Sequence, residues 1–111
     1  MTAIVYHNPR CSKSRATLAL LDQRGIDYRI VEYLNAPPRP DDLLAWAEAM
    51  QTPLRSLLRA HETEQDVSTL SDSALAKLMS AQPTLIQRPL VVLGNQVRVG
   101  RPPEAVLELF S

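Results

Sequence analysis

The stretch Ile4-Val5-Tyr6-His7-Asn8-Pro9-Arg10-Cys11-Ser12-Lys13-Ser14-Arg15 sets the only cysteine of the chain between a short apolar strand and a helix. Ala3 to Tyr6 is a β-branched and aromatic run, and Asn8-Pro9 signals a turn. From Cys11 or Ser12 onward, Ala16, Leu18, Leu20 and Leu21 take the spacing of an amphipathic helix. Cys11 therefore falls at a helix N-terminus, where unpaired amide groups and the positive end of the helix dipole favour thiolate over thiol. A free thiol with a pKa of about 8.5 is only about 3% ionised at pH 7, whereas a pKa of about 6.5 makes it roughly three-quarters thiolate. The neighbours push the same way: His7 stands four residues before, Arg10 and Arg15 add positive charge, and Ser12 and Ser14 offer hydroxyl donors. A buried structural cysteine is the commoner case across proteins, but this polar and basic setting reads as a reactive thiol.

Working outward, Gly25 is a natural end for the first helix, and Tyr28 to Leu34 reads as a strand with Tyr28, Ile30 and Glu32 on one face. Strand, helix and strand at this spacing form a βαβ unit with parallel strands and a right-handed crossover. Ala36-Pro37-Pro38-Arg39-Pro40 breaks the pattern. Pro40 then opens a helix with Asp41 and Asp42 in its first turn, Leu43, Leu44, Ala47 and Met50 as an apolar stripe, and Trp46 as packing. Thr52-Pro53 starts a short helix expected to run through Arg59, with Leu54, Leu57 and Leu58 buried and Arg55 and Arg59 along one edge. The stretch 61–70 is polar and aperiodic and is expected to be loop. Ser71 caps a further helix with Leu75, Leu78 and Met79 inward. Leu90 to Leu93, Gly94-Asn95 and Gln96 to Val99 form a hairpin signal, the pair suiting a two-residue turn with positive φ angles. A last helix runs from Glu104 to Phe110. The expectation is one domain over residues 1–111 with a helical insertion at about 40–82.

At 111 residues, 45% hydrophobic and 22% charged, the chain has the composition of an ordinary soluble domain. Its net charge of zero argues against broad nucleic-acid or anionic-membrane binding. Of its 12 basic residues only Lys13 and Lys77 are lysines, and arginine's planar fork suits oxyanions. No stretch has the form of a signal peptide or the length of a membrane span, so a cytoplasmic location is expected. One cysteine and two histidines, His7 and His61, fall short of a standard zinc site, and no metal is expected. A single cysteine also forbids an intramolecular disulfide, so any redox cycle must be completed by an outside thiol.

A parallel βαβ unit followed by a ββα unit, with a cysteine at the first helix and a proline before the third strand, resembles the thioredoxin fold: an α/β, glutaredoxin-like arrangement of four strands in a mixed sheet. The motif Asn8 to Arg15, with Leu57-Leu58-Arg59, Leu85-Ile86-Gln87-Arg88-Pro89 and Gly100-Arg101-Pro102, resembles the glutaredoxin-coupled arsenate reductase (ArsC) family over nearly the whole chain. The resemblance implies that Cys11 attacks the arsenic of arsenate, that glutathione and glutaredoxin reduce the thiol-bound arsenate, and that arsenite is released. It implies no bound cofactor, with glutathione a co-substrate. Arg59, Arg88 and Arg101 would hold the oxyanion, and His7, with Ser14 and Arg15, would stabilise the thiolate. Pro89 is expected to be cis, as at the matching place of thioredoxin-like folds.

The best-known members carry a longer C-terminal tail than this chain, which ends at Ser111, so a compact, less specialised, single-cysteine relative is expected. Two other activities fit the same features. One is a general glutathione-linked thiol reductase whose arginines hold glutathione carboxylates. The other is a redox regulator that binds RNA polymerase, which shares the fold but resembles Cys-x-x-Cys, where this chain has Ser14.

Overall fold

A computed structural model describes residues 2–110. Backbone packing sorts the chain into two compact units, Met1–Tyr33 with Arg88–Ser111, and Leu34–Gln87.

The first unit is built on β1 (Ala3–His7), α1 (Ser12–Gln23), β2 (Tyr28–Glu32), β3 (Leu90–Leu93) and β4 (Gln96–Val99). Its four strands lie in the order β2-β1-β3-β4. β1 runs parallel to β2 and antiparallel to β3, and β3 runs antiparallel to β4. This mixed sheet with its helices is the thioredoxin-like α/β fold. Alternation along β1 sends Ala3, Val5 and His7 to one face, and all three are buried. Ala3 and Val5 join Val91 of β3, Leu21 of α1, and Val106 and Leu109 of a terminal 3₁₀ segment, Pro103–Phe110, in one apolar cluster. Gly25 ends α1 with φ +66°, and Gly94 turns the hairpin with φ +61°. Asn95 keeps a negative φ, so only one residue of the expected pair uses the left-handed region.

Two expectations need correction here. The buried face of α1 is Ser14, Thr17 and Leu21, while Ala16 and Leu20 are not buried. The hydroxyls are absorbed locally: Thr17 Oγ1 donates to the Lys13 carbonyl at 2.9 Å, and Ser14 Oγ accepts from the Asn8 N–H at 3.4 Å. β2, expected to reach Leu34, stops at Glu32, and at the sheet edge its Tyr28, Ile30 and Glu32 face leaves Ile30 43% exposed. The chain then turns inward, leaving Tyr33 2% exposed.

The second unit holds α2 (Pro40–Met50) and α3 (Asp72–Ala81). Asp42 accepts from the Arg39 N–H at 3.0 Å at the start of α2, and Ser71 Oγ caps α3 through the Ala74 N–H at 3.2 Å. Leu43, Trp46 and Ala47 of α2, and Leu75, Ala76 and Met79 of α3, are buried. The helix expected through Arg59 is instead a 3₁₀ turn, Leu54–Leu57. Beyond it Leu58 pairs with Ile86 as an isolated β-bridge, and the Arg59 N–H donates to the Leu85 carbonyl at 2.7 Å. Arg55 and Arg59 therefore share no helix edge. Arg55 instead ties down the following loop, donating to the carbonyls of Val67 at 2.9 Å and Leu70 at 2.6 Å.

Candidate active site

β1 delivers the chain to Asn8, which is buried and organises the turn into α1. Its carbonyl accepts from the Cys11 N–H at 3.0 Å and its side-chain oxygen from the Arg10 N–H at 3.0 Å. The turn leaves Cys11 in extended geometry, φ −93° and ψ 122°, as the residue that caps α1. The N–H groups of Ser14 and Lys13 approach the sulfur too loosely for a formal cap, yet close enough to stabilise charge on it.

Two arginines reach the same sulfur from the other end of the unit. Arg88 precedes Pro89 across a cis peptide bond at the entry to β3, and Arg101 follows β4 across another junction, with Arg101–Pro102 also cis. Arg101 Nη2 stands 3.8 Å from Cys11 Sγ, while its Nε donates to the Arg88 carbonyl at 2.8 Å, so one arginine's side chain is braced on the other's backbone. The Arg101 contact is long even for sulfur, and Arg88 is the arginine that acts on the thiol's ionisation. Burial is the largest single influence on Cys11 and works to raise its pKa. The Ser14 and Lys13 amides and the Arg88 guanidinium outweigh it, so the pKa lies below the ordinary value. The half-buried Cys11 is thus a thiol biased toward thiolate, with a cation beside it.

Gly100 seals this region from behind. Its N–H donates to the Pro89 carbonyl at 2.9 Å, and a Cβ there would stand 2.6 Å from Thr17 Oγ1 and 2.7 Å from Pro89 Cγ.

The side chains expected to support the thiolate divide. Ser14 acts through its N–H, its hydroxyl being taken up by Asn8. The Arg15 guanidinium donates to the Pro9 carbonyl at 2.9 Å. His7 is buried, paired in register with Glu32, and its pKa is lowered, first by burial and then by Arg15 against the opposing pull of Glu32. A ring held neutral supplies no positive charge to a thiolate. The groups that lower the Cys11 pKa are the Ser14 and Lys13 amides and the Arg88 guanidinium.

Arg59 belongs to the second unit. Its guanidinium meets Glu62 at 3.2 Å and His61 Nε2 at 3.2 Å, both from the 3₁₀ turn Ala60–Glu62.

Tyr33 is a member of the site that sequence reasoning missed. Its phenol is buried, Asn8 and Arg88 flank its oxygen, and Cys11 is close enough for thiolate charge to act on it. Burial, the largest influence, raises its pKa. One aromatic at the end of a strand pattern gave no sign of this.

Comparison with known proteins follows the same residues. The ArsC family profile matches residues 6–109. The arsenate reductase of Haemophilus influenzae is 39% identical over 99% of this chain and 100% of its own length. The arsenate reductase of Escherichia coli K12 is 36% identical over 96% of this chain and 79% of its own. The solved structure of the arsenate reductase from Vibrio cholerae superposes with a TM-score of 0.86 at 40% identity, covering 97% of each chain.

Proposed function

The chain belongs to the ArsC family, and from that premise we propose that it reduces arsenate to arsenite through Cys11, with glutathione and glutaredoxin as the electron source. The observation that carries this reading is a thiol of lowered pKa at the start of α1, with Arg88 acting on it and Arg101 Nη2 at 3.8 Å.

Attack of the thiolate on dihydrogen arsenate, with one proton taken up, forms the sulfur–arsenic bond and releases one arsenate oxygen as water. Arsenic remains pentavalent at this stage. Two electrons then come from two glutathione thiols, which end as glutathione disulfide while arsenic leaves as arsenite, and glutaredoxin resolves the mixed species. A lone cysteine needs such an external donor.

Arg88 and Arg101 are suited to spread the charge of a tetrahedral oxyanion over several N–H donors as the sulfur approaches. The amides at the α1 N-terminus add further donors. Inclusion of Arg59 in the oxyanion set rests on the family resemblance.

Purified protein supplied with arsenate, glutathione, glutaredoxin and glutathione reductase should consume NADPH in an arsenate-dependent way, and Cys11→Ser should abolish it. Replacing glutaredoxin by thioredoxin tests the donor, and should leave little turnover. Absence of arsenate-dependent turnover with either donor would remove the proposed activity.

A further inference from the structure

We propose that the Tyr33 hydroxyl is a substrate-binding group that donates a hydrogen bond to the oxyanion held at Cys11. This rests on the oxyanion reading above and adds a neutral donor to its arginines.

The hydroxyl is buried, and among the described residues its oxygen has no partner in hydrogen-bonding geometry. A buried polar group left in that state costs stability, so it calls for an explanation in function. The flanking groups show which partner is lacking. Asn8 and the Arg88 guanidinium lie beside the phenol oxygen and pull it toward ionisation, as donors do, and among the described residues no acceptor stands in hydrogen-bonding geometry to the O–H. Arg88 Nε is a second buried donor with no partner among the described residues. Two unsatisfied donors therefore sit side by side next to the reactive sulfur. A tetrahedral oxyanion bound there offers several acceptor oxygens to both at once.

The two donors would play different parts. Arg88 brings charge and so also acts on the free thiol. A neutral phenol donates to the anion without favouring the empty thiolate to the same degree. Burial keeps the phenol protonated beside a thiolate, so the donor persists when Cys11 is ionised. The position follows from the fold: His7 pairs with Glu32, and the residue that follows each strand, Asn8 or Tyr33, carries the chain into the site.

The test is the rate of Cys11 alkylation by iodoacetamide over a series of arsenate concentrations, in wild type and Tyr33→Phe. Without arsenate the two rates should agree within about twofold, because the phenol adds no charge to the thiol. Arsenate should protect both, with the half-protecting concentration raised about tenfold in Tyr33→Phe, the effect of one lost hydrogen bond to a charged acceptor. Equal protection would overturn the role of Tyr33 while leaving the oxyanion site standing; failure of arsenate to protect wild type would overturn both.

A second measurement needs no variant. With tyrosine ring carbons labelled in wild type, arsenate should shift the Tyr33 resonance and leave Tyr28, whose hydroxyl donates to Asp22 at 2.8 Å, in place. A Tyr33 signal unmoved at arsenate concentrations that protect Cys11 would also overturn the proposal.

Discussion

Charge on the Cys11 sulfur is held by two kinds of group that a single substitution can separate. The Ser14 and Lys13 amides are backbone and stay with the helix, whereas the Arg88 guanidinium can be removed. Arg88→Gln should therefore raise the thiol pKa measured by thiolate ultraviolet absorbance, because burial is then opposed by the amides alone. An unchanged pKa in this variant would mean that the guanidinium contributes nothing to the charge on the sulfur. At this scale the sequence signalled the setting of Cys11, since a lone cysteine amid Asn-Pro-Arg and Ser-Lys-Ser implies a turn into a helix and hence exposed amides. His7 and Arg15 are not among the groups that lower the Cys11 pKa. Nearness in sequence does not fix where charge acts: burial lowers the His7 pKa, and the Arg15 guanidinium donates to the Pro9 carbonyl. Tyr33 was illegible because its burial depends on where β2 leaves the sheet, which no local pattern records.

The elements that hold the site meet at Gly100, where the end of β4, the entry to β3 and the second turn of α1 converge within contact distance. Gly100→Ala should destabilise the protein by about 1–3 kcal/mol, because the methyl must displace Thr17 Oγ1 or the Pro89 ring in a packed site. Adding Thr17→Ala should recover part of that loss by removing the nearer atom, leaving the Pro89 contact at 2.7 Å. Urea unfolding of the single and double variants measures both effects, and a Gly100→Ala midpoint equal to wild type would show that this junction yields without cost. Element order was well marked because its signals are local: the Gly25 stop, the Ser71 cap and the Gly94-Asn95 hairpin each act within a few residues. The helix expected through Arg59 failed for the opposite reason. Its last residues are claimed by Leu85 and Ile86, more than twenty positions away, and a non-local β-bridge overrides a local helix pattern.

Across the whole molecule, the shifted groups make stability depend on pH with a definite sign. Cys11 titrates below its ordinary 9.0 when folded, so between the folded pKa and 9.0 the unfolded chain holds a proton that the native thiolate lacks. Unfolding free energy therefore rises with pH through that window, is fully gained above it, and is lost as pH falls through the folded pKa. His7 acts in the same direction lower down. Its ring resists protonation when folded, so below 6.5 the unfolded chain binds the proton first and the native state loses ground as pH falls. Tyr33 and Tyr28 reverse the trend above 10.0, because their raised pKa values leave the native state holding protons that the unfolded chain releases. The combined contribution of these groups to stability is largest between 9.0 and 10.0. Urea midpoints measured across pH should climb toward that range in wild type. Cys11→Ser should flatten the upper window and His7→Gln the lower one, each leaving the other intact. A wild-type midpoint that falls between about pH 7 and 9 would contradict the thiolate bias on which the chemistry of this chain depends.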